Sequence, residues 1–593
     1  MRKFKEILKV FKPYIAPYKW GLIGAILMVV LTNVSLAIAP SIEGLITTQL
    51  VKDVTGMANG TVAGVNFKYI IQIILILLVI YSIKTIAQIL SAIWLTNSIQ
   101  SSMKDLRNAL QNKIRKLPVR YFDSHQYGDI LSKITNDVDT VSNALQQTLT
   151  QIISGILGVT LALTMMLRIN PYMTIIAFMI IPLGIIISSV VVKHSQKRFK
   201  AQQDALGKLN GAITEMYTGY NEIMLYNQQD QSIEKFKKIN EELKTNAFKA
   251  QFMSSIISPL TSLFTYLAVG NVGVVGTILA IQSKMQVGNL QAFIRYIWQI
   301  NEPISQVSQL SAQIQSAMAA SYRIYEILIE TEEVKEADPS EVIASPKGNV
   351  TFEHVKFGYY PDKILIQDFN VEVKSGQMVA IVGPTGAGKT TLINLLLRFY
   401  DVLDGSIKID GVDIRSMKRE DLRQLFGMVL QDTWLFSGTI FENLRYGRLD
   451  ARKDEVIEAA KLANVHHFIR TLPDGYDMMI NEDGSNISQG EKQLLTIARA
   501  ILKNPKILIL DEATSSVDTR LEKMLSEAMH KVMEGRTSFV IAHRLSTIKK
   551  ADLILVINDG NIVEQGTHEE LLAKKGYYES LYNSQFASMN EDA

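Results

Sequence analysis

The chain has 593 residues, of which 47% are hydrophobic and 20% are charged, and this length is too great for a single core. The formal net charge of +3 does not indicate a nucleic-acid-binding surface. The absence of cysteine excludes disulfides, cysteine nucleophiles and thiolate metal sites. Long apolar runs are confined to about residues 20–320, which predicts a membrane domain followed by a soluble one.

The first twenty residues are basic and amphipathic. Met1–Trp20 contains lysines and prolines, and no small-residue cleavage site precedes the long apolar run, so it does not resemble a cleaved secretory signal. Within it, apolar side chains alternate with basic ones: Phe4, Ile7, Leu8 and Phe11 against Arg2, Lys3, Lys5 and Lys9. This pattern predicts a helix lying on the cytoplasmic face of the membrane.

Six apolar stretches are long enough to cross a bilayer, whose hydrocarbon core of about 30 Å requires roughly 20 helical residues. They cover about residues 21–47, 69–95, 142–167, 171–195, 252–282 and 288–320. A soluble helix bundle is the alternative, which six runs of this length disfavour. The loops 96–141 and 196–251 contain most of the basic loop residues, which predicts that they and both termini are cytoplasmic. Their helical patterns predict long cytoplasmic arms.

The last predicted span is the least apolar and carries Arg295 and Glu302. Seven residues separate them, so they share one helical face, and ionisable groups in a span normally face a cavity or a partner. Aromatic and methionine neighbours are expected to provide apolar surface for bulky organic molecules: Trp298, Met318, Phe264 and Tyr266. Selection of cationic substrates by Glu302 is one hypothesis. The alternatives are that Arg295 extends outward, that Glu302 pairs with a partner subunit, and that the aromatic residues only pack helices.

A phosphate-binding loop follows a change of pattern at about residue 350. Val379–Val382 has the pattern of a short buried strand, and Gly383–Thr391 then fits G-x-x-x-x-G-K-[ST] in the required strand–loop–helix setting. Its glycines allow backbone N–H groups to surround phosphates at a helix N-terminus. Lys389 is expected to neutralise phosphate charge, and the Thr390 hydroxyl to bind Mg²⁺. The predicted nucleotide-binding residues of this loop are Gly383, Pro384, Thr385, Gly386, Ala387, Gly388, Lys389, Thr390 and Thr391.

A second buried strand, Ile507–Leu510, ends in two carboxylates. At the carboxyl end of a strand beside the phosphate-binding loop, Asp511 would hold Mg²⁺ through water. Glu512 would polarise the attacking water, which is the chemical task that phosphoryl transfer leaves to the protein besides positioning. Two carboxylates at the end of a strand are weak evidence of an ATPase site by themselves. They indicate one here because they follow a phosphate-binding loop in the same domain.

Taken together, these motifs resemble those of the ABC transporter family. Residues 350–586 are similar to its ATPase domain, and residues 1–328 are similar to its six-helix exporter domain. The resemblance implies a multi-pass α-helical membrane domain over residues 1–328, with six spans and long cytoplasmic helical arms. A linker over 329–348 and an α/β P-loop ABC nucleotide-binding domain over 349–593 would follow, with ATP and Mg²⁺ as cofactors.

The resemblance implies roles for four further residues. Tyr359 matches the aromatic residue that stacks on adenine, and Gln431 matches the glutamine that senses Mg²⁺. Asp518 matches the loop that crosses to the partner subunit, and His543 matches the switch histidine at the γ-phosphate. The predicted catalytic residues are therefore Glu512, His543, Gln431 and Lys389, and the predicted metal-binding residues are Thr390, Gln431 and Asp511.

The cytoplasmic arms contain segments that resemble the two coupling regions of the family. Tyr121–Asp129 with Asn136–Val138 resembles the first region, and Gly219–Asn227 resembles the second. Packing on a helix surface is the alternative for each individual residue.

The segment Ile487–Glu491 departs from the family signature L-S-G-G-Q. In this family the signature acts on the partner's site, where its Ser and Gly donors cap the γ-phosphate. Ser488 and Gly490 are retained, whereas Gln489 adds a side chain where backbone should approach phosphate closely. A second half-transporter with an intact signature would confine this change to one of two sites. The sequence therefore favours a heterodimer, and a homodimer that tolerates the substitution is the alternative.

The resemblance implies an ATP-hydrolysing exporter subunit of the multidrug type. It would move hydrophobic or amphipathic compounds out across a bacterial plasma membrane, with the bilayer and a second half-transporter as partners and no nucleic acid. A lipid flippase or a peptide exporter of the same architecture is the alternative. An ATP-gated channel is disfavoured because no regulatory insertion is visible in the sequence.

Overall fold

The computed structural model describes residues 2–360, 362–430, 433–481, 484, 486–511, 519–542 and 545–585. The chain divides into two compact units. The first comprises Met1–Leu117 and His125–Thr331, and the second comprises Pro118–Ser124 and Glu332–Ala593.

The described part of the first unit is helical. Its helices, with the short α4 that belongs to the second unit, are α1 (Arg2–Ile15), α2 (Lys19–Ala58), α3 (Phe67–Ile114), α4 (Val119–Ser124), α5 (Tyr127–Ser132), α6 (Val138–Ile169), α7 (Pro171–Thr218), α8 (Tyr220–Leu225), α9 (Gln229–Ser255), α10 (Ile257–Ile281) and α11 (Val287–Ile329). A short 3₁₀ turn, Ala16–Tyr18, precedes α2, and the π-helical segment Lys133–Asp137 joins α5 to α6.

Five of the six predicted spans each lie within a single helix, and the span 252–282 runs from the end of α9 into α10. Among the described residues, four segments are long and apolar enough to cross a membrane: Lys9–Ala58, Phe67–Ile114, Tyr127–Ile169 and Pro259–Ile281. Helices α3 and α7 have 48 residues each. At 1.5 Å per residue each is about 70 Å long, roughly twice the hydrocarbon core. This length agrees with the predicted arms.

Local sequence explains where several of these helices begin. The Asn66 side chain accepts a hydrogen bond from the Tyr69 amide at the start of α3. Asn170 does the same for the Met173 amide, 3.1 Å away, and Pro171 occupies the first position of α7. Both patterns are favoured at helix N-termini because they leave fewer backbone donors unpaired.

The predicted amphipathic N-terminal helix is present as α1. Its residues Ile7 and Phe11 are buried, and the helix packs against α3 and α11. Part of the apolar stripe that predicted the helix is therefore covered by protein, a contact that helical periodicity alone does not reveal.

The second unit is built on two main sheets. Its strands are β1 (Val350–Phe357), β2 (Ile366–Val373), β3 (Met378–Val382), β4 (Asp404–Ile409), β5 (Val412–Asp413), β6 (Phe426–Val429), β7 (Gly438–Thr439), β8 (Met479–Ile480), β9 (Ile507–Asp511), β10 (Thr537–Ile541), β11 (Leu553–Asn558) and β12 (Asn561–Gly566). An antiparallel sheet has the order β2-β1-β4-β5. The larger sheet has the order β12-β11-β3-β10-β9-β6 and is parallel except at β12.

Ten helices surround these sheets in the described part of the second unit, in addition to α4. They are α12 (Lys389–Leu396), α13 (Arg419–Gln424), α14 (Ile440–Arg445), α15 (Lys453–Leu462), α16 (His466–Thr471), α17 (Gln489–Lys503), α18 (Thr519–Met533), α19 (Leu545–Lys549), α20 (His568–Lys574) and α21 (Tyr577–Gln585). One core joins the two sheets, with Phe352 and Phe369 packed edge to face at 5.2 Å. A second core packs α14, α15, α17 and α18 against β6 and β9.

Candidate nucleotide-binding site

The predicted phosphate-binding loop connects the central strand β3 to α12. Residues Val379–Val382 of β3 are buried, as expected of a strand with parallel neighbours on both sides. Gly386 and Gly388 have φ of +85° and +104°, a region that glycine adopts without the steric cost other residues incur. A Cβ on Gly383 would lie 2.2 Å from the carbonyl oxygen of Ile557. The glycine pattern of the motif thus follows from backbone geometry.

Lys389 is held inside this loop. Its Nζ donates to the carbonyl oxygens of Gly383 and Pro384, at 2.7 and 3.0 Å. Burial lowers the pKa of Lys389, and the Asp511 carboxylate acts in the opposite direction. A cation at the N-terminus of α12, within a loop of backbone amides, is suited to a polyphosphate.

Eight of the predicted site residues line one cavity of ≈ 440 Å³. They are Tyr359, Thr385, Gly386, Gly388, Lys389, Thr390, Thr391 and Asp511. Asp511 reaches it because β9 is separated from β3 by one strand, and its carboxyl end lies at the same sheet edge as the loop. Ala387 is buried in the core below, and its carbonyl accepts from the Gly560 amide at 2.9 Å.

The Tyr359 side chain forms one wall of this cavity. Its hydroxyl lies 3.0 Å from the Thr391 hydroxyl, and its ring packs edge to face against Phe357 and Tyr400. These contacts fix the ring beside the phosphate-binding loop. A held aromatic face here is suited to stacking on a base.

The described residues fit a Mg²⁺–nucleotide rather than a preformed metal cage. No group of three or more His, Asp or Glu side chains with metal-binding geometry occurs among the residues that the structure describes. Thr390 and Asp511 nevertheless share the cavity. One hydroxyl and one carboxylate beside a phosphate-binding loop fit the usual protein contribution to Mg²⁺, which takes its other ligands from phosphates and water.

Ser488 and Gly490 lie elsewhere, at the start of α17. Ser488 caps this helix reciprocally with Glu491: its amide donates to the carboxylate at 3.0 Å, and its Oγ accepts from the Glu491 amide. Gly490 is buried, whereas the Gln489 side chain is exposed in the first turn. Neither Ser488 nor Gly490 lines the cavity around Lys389.

Four predicted site residues lie outside the described residues: Gln431, Glu512, Asp518 and His543. The strands β6, β9 and β10, which precede three of them in the chain, end at Val429, Asp511 and Ile541. These strands run parallel to β3 in one sheet, so their carboxyl ends lie at the edge where α/β sheets bind ligands.

Two contacts of the second unit involve α4 and were not predicted as specific pairs. The Tyr400 hydroxyl donates to the Asp123 carboxylate, and the Arg120 guanidinium lies 5.5 Å from the centre of the Tyr360 ring. Tyr121 of the same helix is buried. Sequence indicated only that the segment Tyr121–Asp129 resembles a coupling region, since pairs this far apart in the chain leave no local signal.

Two family descriptions match the chain: "ABC transporter transmembrane region" over residues 22–304 and "ABC transporter" over residues 366–515. The "Fatty acid ABC transporter ATP-binding/permease protein" of Mycobacterium bovis is 43% identical over 515 residues, covering 87% of this chain and 81% of the relative. A Staphylococcus aureus protein, named as a candidate for multidrug export, is 34% identical over 591 residues, covering 98% and 100%.

A solved structure of similar fold is that of a bacterial Atm1-family ABC exporter with ATP bound. It matches with a TM-score of 0.73 and 28% identity, covering 96% of this chain and 99% of the other. The fold and the site thus define an ATP-binding protein with a helical membrane domain in the same chain. The chain belongs to the ABC transporter family as an ATP-binding/permease half-transporter, whose second domain is a transport ATPase. Exporters of this family act as dimers.

Proposed function

We propose that this chain is one half of a multidrug-type exporter that moves hydrophobic or amphipathic compounds out of a bacterial cell. The observation that carries the proposal is the cavity around Lys389, where eight predicted residues of an ATPase site come together in a chain that also has membrane-spanning helices. The relatives' names support this class of cargo. One is named for fatty acids, which are amphipathic, and another for multidrug export.

The described residues of the site bind and orient ATP. Tyr359 presents its ring to the adenine, and the amides of Gly383–Gly388 with Lys389 surround the phosphates. Thr390, Gln431 and Asp511 would hold Mg²⁺, which when bound would neutralise charge during phosphoryl transfer. Glu512 takes the proton of the attacking water, and His543 contacts the γ-phosphate.

Transport requires ATP to bind the closed pair of nucleotide-binding domains better than the open pair. Equal affinity would leave the equilibrium between the closed and open pairs unchanged. In this scheme, the signature residues Ser488 and Gly490 cap the partner's nucleotide. Closure then turns the membrane cavity outward, and hydrolysis resets it. Both termini and the arms around α4 and α8 lie in the cytoplasm.

The exposed tip of the arm between α7 and α9 supports assembly with a second half-transporter. Tyr217, Tyr220, Leu225 and Tyr226 are all largely exposed there. Apolar clusters of this kind normally mark contacts with another protein. We propose that the second half-transporter covers this tip.

A heterodimer is the favoured assembly because Gln489, which is exposed, replaces a glycine of the family signature and would put a side chain against the partner's nucleotide. The test is the ATPase activity of the purified chain, with and without a half-transporter that has an intact L-S-G-G-Q signature. The proposal expects low activity alone and recovery in the mixed dimer. Strong, cooperative, substrate-stimulated activity of the chain alone would establish the homodimer instead.

Transport is tested in inside-out proteoliposomes with an amphipathic dye and a fluorescent phospholipid. The exporter proposal expects ATP-dependent accumulation of the dye and loss of it in Lys389→Ala. ATP-dependent movement of the phospholipid alone would assign the chain to the lipid flippases.

A further inference from the structure

A cavity of ≈ 400 Å³ lies between α2, α3 and α11 of the first unit, far in sequence from the ATPase motifs. Its apolar wall includes Leu36, Pro40 and Trp298, and its polar wall comprises Glu43, Tyr81, Arg295, Gln299 and Asn301. Such a mixture of apolar surface and a few convergent polar groups is typical of small-molecule sites. Sequence analysis singled out Arg295 but not Glu43 or Tyr81.

Arg295 and Glu43 differ in how far their hydrogen-bonding groups are paired in this cavity. One Glu43 oxygen accepts from the Tyr81 hydroxyl, and the other lies 3.8 Å from Nε of Arg295. That distance is too long for a hydrogen bond. Among the described residues, Glu43 is the sole ion-pair partner of Arg295, whose side chain is 64% exposed against 22% for Glu43. The guanidinium therefore keeps its N–H donors available.

A second donor of the same wall lacks an acceptor. Gln299 follows Arg295 by one helical turn on α11, and its buried Nε2 has no hydrogen-bond partner. An unpaired buried donor is costly and calls for an explanation, such as a ligand or an ordered water. Both unsatisfied groups of this wall are thus donors.

Packing between α2 and α11 fixes these donors in place. Gly288 lies so close to Gly44 that an added Cβ would meet the Gly44 carbonyl oxygen at 1.7 Å. Beside Arg295, the buried Tyr296 hydroxyl donates to the Ala37 carbonyl at 2.6 Å. Such contacts limit the freedom of α11 relative to α2, so the wall is preorganised for a ligand.

We infer that this cavity binds the carboxylate head of an anionic amphiphile through Arg295 and Gln299, with the apolar body of the ligand against Trp298 and Pro40. This inference rests on the exporter function proposed above and names a substrate class for it. A guanidinium presents a planar fork of donors that matches a carboxylate. Before the ligand binds, Glu43 balances the charge of Arg295. The hydrogen bond from Tyr81 holds the Glu43 carboxylate in position.

The charge preference is opposite to the one that Glu302 suggested from sequence. The Glu302 side chain lies outside the described residues. The carboxylate that lines the cavity is Glu43, and its oxygens already face a hydroxyl and a guanidinium. A cationic ligand would have to displace Arg295 from Glu43, whereas an anion adds to the available donors.

The test measures binding to the full chain in phosphatidylcholine nanodiscs without nucleotide. Three probes of equal length are compared: ω-bromoundecanoate, ω-bromoundecanol and ω-bromoundecylammonium. Bromine quenches nearby tryptophan fluorescence, and the signal from this cavity is the quenching lost in Trp298→Phe. The binding measurement contains no ATP, so its result does not depend on the ATPase and export tests. A negative binding result would therefore reject the carboxylate site alone, and a negative export result would reject the exporter function alone.

Two charge-removing variants give opposite expected results. Arg295→Gln should weaken undecanoate binding about tenfold or more, the value expected for loss of a hydrogen-bonded charge, and leave undecanol unchanged. Glu43→Gln should strengthen undecanoate binding several-fold because a competing negative charge is removed. If Arg295→Gln disturbs folding, Arg295→Lys, which keeps the charge, should bind undecanoate with intermediate affinity. Equal affinity for all three probes, preference for the ammonium, or loss of binding in Glu43→Gln would overturn the inference.

Discussion

Arg323 of α11 holds Asp137, the last residue of the π-helical segment before α6, with two side-chain hydrogen bonds. Nε donates to Oδ2 at 2.7 Å, and Nη2 donates to Oδ1. The Asp137 side chain is 7% exposed, whereas that of Arg323 is 46% exposed. The pair joins two helices that are 186 residues apart in the chain, and π-helical turns often occur at functional sites.

Removing Arg323 should lower the free energy of unfolding more than removing Asp137. Arg323→Gln leaves a buried carboxylate without its cation and should destabilise the protein by about 1–3 kcal/mol. Asp137→Asn should cost less because the half-exposed guanidinium can be hydrated. Thermal unfolding of both variants and of the double variant measures the coupling. Equal and additive losses would contradict this account of the pair.

Tyr359 should act on ATP affinity through its ring rather than its hydroxyl. Tyr359→Ala removes the aromatic face and should weaken ATP binding by about 1–3 kcal/mol, the range for stacking of a base on an aromatic side chain. Tyr359→Phe removes only the contact with Thr391 and should bind ATP within about threefold of wild type. Calorimetry with ATP compares them. An equal loss in both variants would show that the hydroxyl, not stacking, matters.

Tyr400 should affect coupling more than nucleotide binding. Burial raises the pKa of Tyr400, and the hydrogen bond to Asp123 raises it further, so the hydroxyl stays a donor at neutral pH. Tyr400→Phe should keep ATP affinity but lose much of the stimulation of ATPase by transported compounds, because the chain on both sides of α4 belongs to the first unit. Tyr577→Phe in α21 removes a hydroxyl that donates to Asn558 of β11 and is the control. Equal stimulation in both variants would contradict the coupling role.

Asp410 should stabilise the second unit in a pH-dependent way. Burial alone would raise the pKa of Asp410, but hydrogen bonds from the amides of Gly348, Asn349 and Lys347 and the Asn349 side chain lower it overall. A lowered folded-state pKa contributes stability above the unfolded value and loses it as the pH falls through the folded value. Asp410→Asn should therefore reduce stability by about 1 kcal/mol at neutral pH.

The difference in free energy of unfolding between wild type and Asp410→Asn should be constant above about pH 5. It should shrink below about pH 4, since the carboxyl of the unfolded chain titrates near that pH. Thermal unfolding across this range measures it. Asparagine also tolerates the positive φ of 49° at this position, so backbone strain does not confuse the comparison. A difference that grows on acidification would show that the sign is wrong.

Sequence predicted the two-part architecture and the ATP-binding loop because both depend on local patterns. The run before Gly383 predicted β3, and the loop motif placed Lys389 at the start of α12. The pairs Asp123–Tyr400 and Glu43–Arg295 could not be predicted because they depend on how distant elements pack. Glu43 in particular stands in an otherwise apolar span, and its relevance becomes visible only when α3 supplies Tyr81 and α11 supplies Arg295.

We propose that Glu512 supports the ATP hydrolysis that drives transport, and the variant Glu512→Gln is the sharpest test of this role. The amide can still accept a hydrogen bond from water but cannot take its proton, and loss of a general base costs about 10²–10⁴-fold. The measurement is steady-state ATP hydrolysis and dye accumulation by the reconstituted dimer, with ATP affinity determined in parallel. Glu512→Gln should keep wild-type ATP affinity, with hydrolysis and transport reduced together by that factor. Hydrolysis near the wild-type rate would contradict it.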